Sequence, residues 1–248
     1  MSGHSKWSTI KRQKGVSDQK RGQLFTKIAR TIAMAVREGN GITDPNSNFK
    51  LRLAVEKAKE ANMPKENIQR AIDKGSGKGS GELFESIIYE GYGAHGVAFV
   101  IETATDNKAR TSSLVKHLLD VAGGNLGGSG SVMFLFEQQG YIFSPKNSLS
   151  EEQVLEKVIE AGGLDMAATD DGFEIYTSRE DLHAIKEQLS KSGIVVTTAE
   201  LVYRPKTVVP ITDSGIAKSV IQTIEALEEL DDVQKVYTNE AIDASVSL

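Results

Sequence analysis

The chain has 248 residues, 39% of them hydrophobic and 25% charged, enough for two or three globular domains with cores of their own. It contains no cysteine, which excludes disulfides, thiolate catalysis and cysteine-based zinc sites, and no apolar run approaches the roughly 18 residues of a membrane-spanning helix. The net charge of −5 hides a division: residues 1–78 hold 17 Lys and Arg against 7 Asp and Glu (+10), whereas residues 79–248 hold 12 against 27 (−15).

The first forty residues set the reading. Nine basic side chains (Lys6, Lys11, Arg12, Lys14, Lys20, Arg21, Lys27, Arg30 and Arg37) stand there against Asp18 and Glu38, a local charge of +7, with the single tryptophan, Trp7, among them. Residues 2–16 have no helical or strand period and read as an exposed arm. Ser17 can cap a helix running to about Glu38, with Leu24, Phe25, Ile28, Ile32, Ala35 and Val36 as its apolar stripe and Lys20, Lys27 and Arg30 mostly off it. Gly39-Asn40-Gly41 stops that helix. Leu51, Ala54, Val55, Ala58 and Ala61 give a second one, and Pro64 opens a third through Ile68, Ala71 and Ile72 to Gly75. The stretch from Gly75 to Gly81, GSGKGSG, reads as a linker.

Beyond it the period changes. Strand signals fall at Ile87–Tyr89, Val97–Thr105, Ser131–Phe136, Tyr141–Phe143, Phe173–Thr177, Ile194–Tyr203 and Val233–Tyr237, and helix signals at 111–122, 150–161, 179–191 and about 215–230. With a short strand near Met166, residues 139–204 read β-α-β-β-α-β, the ferredoxin-like order. The flanking segments 82–136 and 205–248 cannot each close a sheet alone and are expected to form one αβ domain with the 139–204 unit inserted. The expected fold class is α+β: an N-terminal three-helix domain with its basic arm over residues 1–78, then two αβ domains, one inserted in the other.

Most chemical motifs fail on context. Gly91-Tyr92-Gly93-Ala94-His95-Gly96 fits G-x-G-x-x-G, but a strand pattern follows where a dinucleotide site needs a helix N-terminus; a hairpin turn is expected. Gly77-Lys78 lacks the Ser or Thr and the preceding strand of a phosphate loop. The stretch from Gly123 to Ser131 reads as a helix stop and irregular turn, with a backbone nest for an anion as the alternative. His4, His95, His117 and His183 show no metal-ligand spacing, and the acid pairs Asp170-Asp171, Glu228-Glu229 and Asp231-Asp232 read as solvated caps and loop charges. No catalytic residue, metal site or cofactor is expected.

The basic arm remains. Lysine and arginine neutralise phosphates and release counterions, giving affinity without sequence choice. Trp7 either stacks on a base or ribose or folds back on the helices; the sequence leaves both open. The arm lacks the apolar face of an interfacial helix, so a membrane is not the expected partner.

Six spaced motifs then resemble the YebC/PmpR family over the whole chain: Gly3-His4-Ser5-Lys6-Trp7; Lys20-Arg21-Gly22 with Phe25-Thr26-Lys27; Tyr89-Glu90-Gly91-Tyr92-Gly93; Thr105-Asp106-Asn107; Gly123-Gly124-Asn125-Leu126-Gly127 with Gly130-Ser131-Val132; and Asp231-Asp232-Val233-Gln234-Lys235-Val236-Tyr237. Ala94-His95 and Ala109 depart from residues common at those places. The resemblance implies three domains and a non-enzymatic, cytoplasmic, DNA-binding transcriptional regulator. The alternative it implies is a translation factor on ribosomal or transfer RNA that relieves stalling. The candidate nucleic-acid contacts are His4, Lys6, Trp7, Lys11, Arg12, Lys14, Lys20, Arg21, Lys27 and Arg30.

Overall fold

The computed structural model describes residues 18–78, 84–146, 149–243 and 245–246, with side chains from Gly22 onward. Apolar residues three and four apart dictate the first unit. Helix α1 (Asp18–Glu38) buries Ile28, Ile32, Ala35 and Val36, α2 (Phe49–Glu60) buries Leu51, Ala54, Val55 and Ala58, and α3 (Lys65–Gly75) buries Ile68, Ala71 and Ile72. These side chains form one core, closed by Met63 in the turn between α2 and α3. Asn48 fixes the entry to α2: its Oδ1 accepts the Leu51 N–H (3.1 Å) and its Nδ2 donates to the Ala35 carbonyl (2.8 Å), so one side chain caps α2 and ties it to α1. Gly75 ends α3 against the Ala33 backbone, where a Cβ would collide.

The second unit is a four-stranded antiparallel sheet in the order β3-β1-β2-β9, built from β1 (Glu85–Tyr92), β2 (Ala98–Thr105), β3 (Asn125–Leu126) and β9 (Val233–Thr238). Strands β1 and β2 form a hairpin closed at Tyr92 and Ala98, with His95 and Gly96 at positive φ in the 3₁₀ turn between them. The G-x-G-x-x-G stretch is therefore a hairpin turn, followed by a strand and not by a helix N-terminus. Helices α4 (Lys108–Val121) and α7 (Ser214–Glu229) pack on the sheet through Val115, Leu119, Val220, Ile224 and Leu227. Helix α4 starts ahead of the expected residue 111 because Asn107 Oδ1 accepts the Arg110 N–H at 3.0 Å. A parallel pair, β8 (Val209–Ile211) and β10 (Glu240–Ile242), lies outside every strand signal read from the sequence.

The third unit has the ferredoxin-like element order: β4 (Phe136–Pro145), α5 (Glu151–Glu160), β5 (Asp165–Ala168), β6 (Gly172–Thr177), α6 (Leu182–Lys191) and β7 (Thr198–Pro205). The sheet order is β5-β6-β4-β7, antiparallel throughout. Ile142, Val154, Val158, Ile175, Ile185 and Leu189 make its core. All four strands lie in the chain between β3 and β8. The strand expected from Ile194 begins only at Thr198. Gly193 at φ +87° turns the chain out of α6, and Ile194 fills the core with its N–H on the Leu189 carbonyl. Among the described residues no helix is long and apolar enough to cross a membrane.

Candidate nucleic-acid interface

Of the residues that the sequence singles out, His4, Lys6, Trp7, Lys11, Arg12 and Lys14 lie outside the described residues, as does the Ser17 cap. Lys20 and Arg21 stand in the first turns of α1, and their side chains also lie outside that set. Lys27 and Arg30 are placed, and both turn inward. With Thr31 and Arg37 they form a second, polar stripe on α1, distinct from the apolar one.

This stripe meets the second unit group by group. Lys27 Nζ donates to the Glu228 carbonyl at 2.6 Å, Thr31 Oγ1 meets Gln234 Oε1 at 3.1 Å, and Arg37 donates to the Phe84 carbonyl. Arg30 Nη1 lies 2.5 Å from Asp232 Oδ1. The Phe84 ring, at the exit of the glycine-rich linker, is held between cations, with Arg30 Cζ at 5.3 Å and Lys74 Nζ at 4.0 Å from its centroid. The helices are thus docked by charge-assisted and cation–π contacts as well as by burial.

Asp232 is the centre of that contact. Its carboxylate takes Arg30 from α1, Arg110 (2.7 Å) and the Thr111 hydroxyl (2.6 Å) from α4, with Thr105 Oγ1 at 3.4 Å. Burial disfavours the charge, but Thr111, Arg110 and Arg30 together hold the carboxyl below the ordinary aspartate value. The expectation of a solvated loop charge holds for the exposed Asp231 and fails for its buried neighbour.

Other cations of the helical unit face solvent. Lys59, Lys65 and Lys78 are exposed and have no ion-pair partner among the described residues. Arg70 meets Glu66 only at 3.7 Å, with its side chain 74% exposed. Lys57 points to the third unit, 3.7 Å from Glu200, which also takes Lys235 of β9 at 2.9 Å. Phe49 of α2 meets the His183 ring of α6 edge-on at 5.0 Å. One helical unit therefore touches both αβ units.

The glycine-rich stretch after α4 does form a backbone nest, and the protein's own carboxylate fills it. Buried Glu90 of β1 accepts the N–H groups of Gly130 (2.7 Å), Val132 (2.9 Å) and Met133 (2.8 Å), while its carbonyl takes the Gly127 N–H (2.8 Å). Burial opposes the charge, yet the three N–H groups hold Glu90 below the ordinary glutamate value. This corrects the strand expected over Ser131–Phe136. The amides that a strand would spend on a neighbour go to Glu90, residues Met133–Leu135 make a 3₁₀ turn, and β4 begins at Phe136. The turn leaves the Phe134 ring 61% exposed. Asp232, Glu90, Arg37 and Phe134 were not among the candidates; the motifs containing the two acids were the available signal.

Comparison with known proteins agrees over the whole chain. Residues 5–78 match the TACO1/YebC protein N-terminal domain, and residues 84–240 match the TACO1/YebC second and third domain. A protein of Persephonella marina named probable transcriptional regulatory protein is 50% identical over 240 residues, 96% of this chain and 95% of its own length. One of the same name from Aquifex aeolicus is 48% identical over 239 residues, 96% and 95% of the two chains. The crystal structure of a conserved hypothetical protein from Aquifex aeolicus superposes with a TM-score of 0.86 at 46% identity, covering 93% of this chain and 94% of that one. With all three domains matched and identity near one half, the chain belongs to the TACO1/YebC family.

Proposed function

We propose that this protein is a cytoplasmic, non-enzymatic regulator of gene expression that binds DNA through its cationic N-terminal unit. The observation that carries the reading is the division of charge, +10 over residues 1–78 against −15 over the rest. Such a unit neutralises phosphates and releases counterions, while the αβ units, with their net negative charge, add no such general attraction, which orients the molecule on its ligand. Lys27, Arg30 and Arg37 anchor α1 on the second unit and so leave the arm, Lys59, Lys65, Arg70 and Lys78 for the ligand. The names of the relatives support a regulator. No base-reading helix stands out, so affinity comes chiefly from phosphate contact and specificity from DNA shape.

Binding of a labelled DNA duplex at a series of salt concentrations tests this. Replacing Lys11, Arg12 and Lys14 by alanine is expected to weaken binding to all sequences alike and to flatten the slope of log affinity against log salt by roughly 2–3 units. An unchanged slope removes the arm as the contact surface.

A further inference from the structure

We propose that Phe134 and the glycine-rich turn before it form a second nucleic-acid contact, on which one unpaired base stacks; this rests on the nucleic-acid reading above. The ring is 61% exposed between half-buried Met133 and Leu135, with Val132 and Phe136 buried on either side. The 3₁₀ turn that seats those neighbours turns Phe134 outward, so the fold itself would be served as well by a polar residue at this position. The turn is nevertheless held rigid. Glu90 takes three of its amides, and Tyr92 Oη donates to the Ser131 carbonyl at 3.2 Å. An aromatic ring presented on a preformed turn gives up little conformational freedom on binding.

The surroundings indicate a nucleotide and not an apolar protein groove. In the chain Phe134 follows the polar Ser129 and Ser131 and precedes Glu137, and the backbone N–H of exposed Lys206 donates to the carbonyl of its neighbour Leu135 at 2.8 Å. Gly128 and Ser129 are exposed, and no acceptor among the described residues takes their N–H groups. A Cβ added at Gly128 or Gly130 would meet nothing within 4 Å, so a sugar-phosphate backbone can approach the turn closely. Ring and amides are two parts a stacked nucleotide uses: a π face and hydrogen-bond donors.

The full chain, titrated with fluorescein-labelled oligodeoxythymidylate, oligouridylate and a DNA duplex, tests the assignment by anisotropy. Phe134→Ala is expected to weaken single-strand binding by about 5- to 100-fold, the loss of one base–aromatic stack. Phe134→Trp restores it, duplex affinity and salt slope stay at wild-type values, and melting is unchanged. A larger loss with one strand identifies DNA or RNA as the source of the base. Wild-type single-strand affinity in Phe134→Ala, or an equal loss on the duplex, overturns the proposal. The arm variant reads the earlier proposal separately: a flattened slope beside an inert Phe134→Ala leaves phosphate binding standing and removes only the stack.

Discussion

At the scale of single residues, Asp232 joins positions that lie 202 and 122 residues away in the chain, Arg30 and Arg110. Its side chain is 6% exposed and that of Arg30 12%, so each charge depends on the other. Asp232→Asn leaves the Arg30 guanidinium buried without a counter-charge, and urea unfolding is expected to show a loss of about 3 kcal/mol, in the range for breaking one side of a buried pair. Because the native carboxyl lies below the ordinary aspartate value, its contribution is complete above about pH 4 and is lost as the pH falls through the native value. The wild-type and Asp232→Asn curves should therefore converge in acid. A gap that stays constant with pH would show that the carboxylate charge is not what holds the helices. None of this was legible locally. Asp231 and Asp232 look alike in the sequence, and only the fold turns one outward and the other onto two arginines.

At the scale of elements, legibility followed the source of the order. The helices were readable because a 3–4 apolar period is written within a dozen residues, as Leu51, Ala54, Val55 and Ala58 show. Arg30 and Lys27 were correctly placed off the apolar stripe, but a side chain off one stripe can face solvent or a second surface, and the sequence does not distinguish the two. The glycine-rich turn was misread as leading into a strand because SVMFLF is rich in strand formers, whereas its conformation is set by a carboxylate forty residues earlier. Glu90→Gln keeps the size of that side chain and removes its charge, and one amide oxygen cannot hold three N–H groups equally well. Hydrogen exchange at Gly130, Val132 and Met133 is expected to accelerate, with a drop in stability of about 2 kcal/mol. Exchange at wild-type rates would show that the glycine-rich turn keeps its shape unaided.

At the scale of the whole molecule, three units meet around a cluster of carboxylates. Glu200 of β7 takes Lys57 of α2 and Lys235 of β9, Tyr237 Oη donates to Glu102 Oε2 at 3.3 Å, and the Tyr203 and Tyr237 rings meet edge-on at 5.4 Å. Burial pushes Glu102 above the ordinary glutamate value; Glu200 and Glu38 add to this, against Lys235 and Tyr237. A raised carboxyl stabilises the fold below its unfolded value and loses that contribution as the pH rises through the native one. Glu102→Gln is therefore expected to melt higher than wild type at neutral pH, with the difference closing in acid; a lower melting temperature at neutral pH would mean that the attraction to Lys235 prevails. The division of charge was plain from composition. The meeting of the three units was not, since Lys57, Glu200 and Lys235 are unremarkable apart from their partners.

The Asp232 contact also has a consequence for biosynthesis. A ribosome releases α1 some two hundred residues before the aspartate that seats it, and β9, which borders β2, follows later still. Vectorial folding can complete the helical trio early, and can close the sheet of the third unit once β7 has emerged, but the second unit has to wait for the far end of the chain. A polypeptide cut short ahead of residue 232 would keep the contacts of its helices to Phe84, His183 and Glu200 but lack the carboxylate that holds Arg30, leaving that buried guanidinium without its counter-charge.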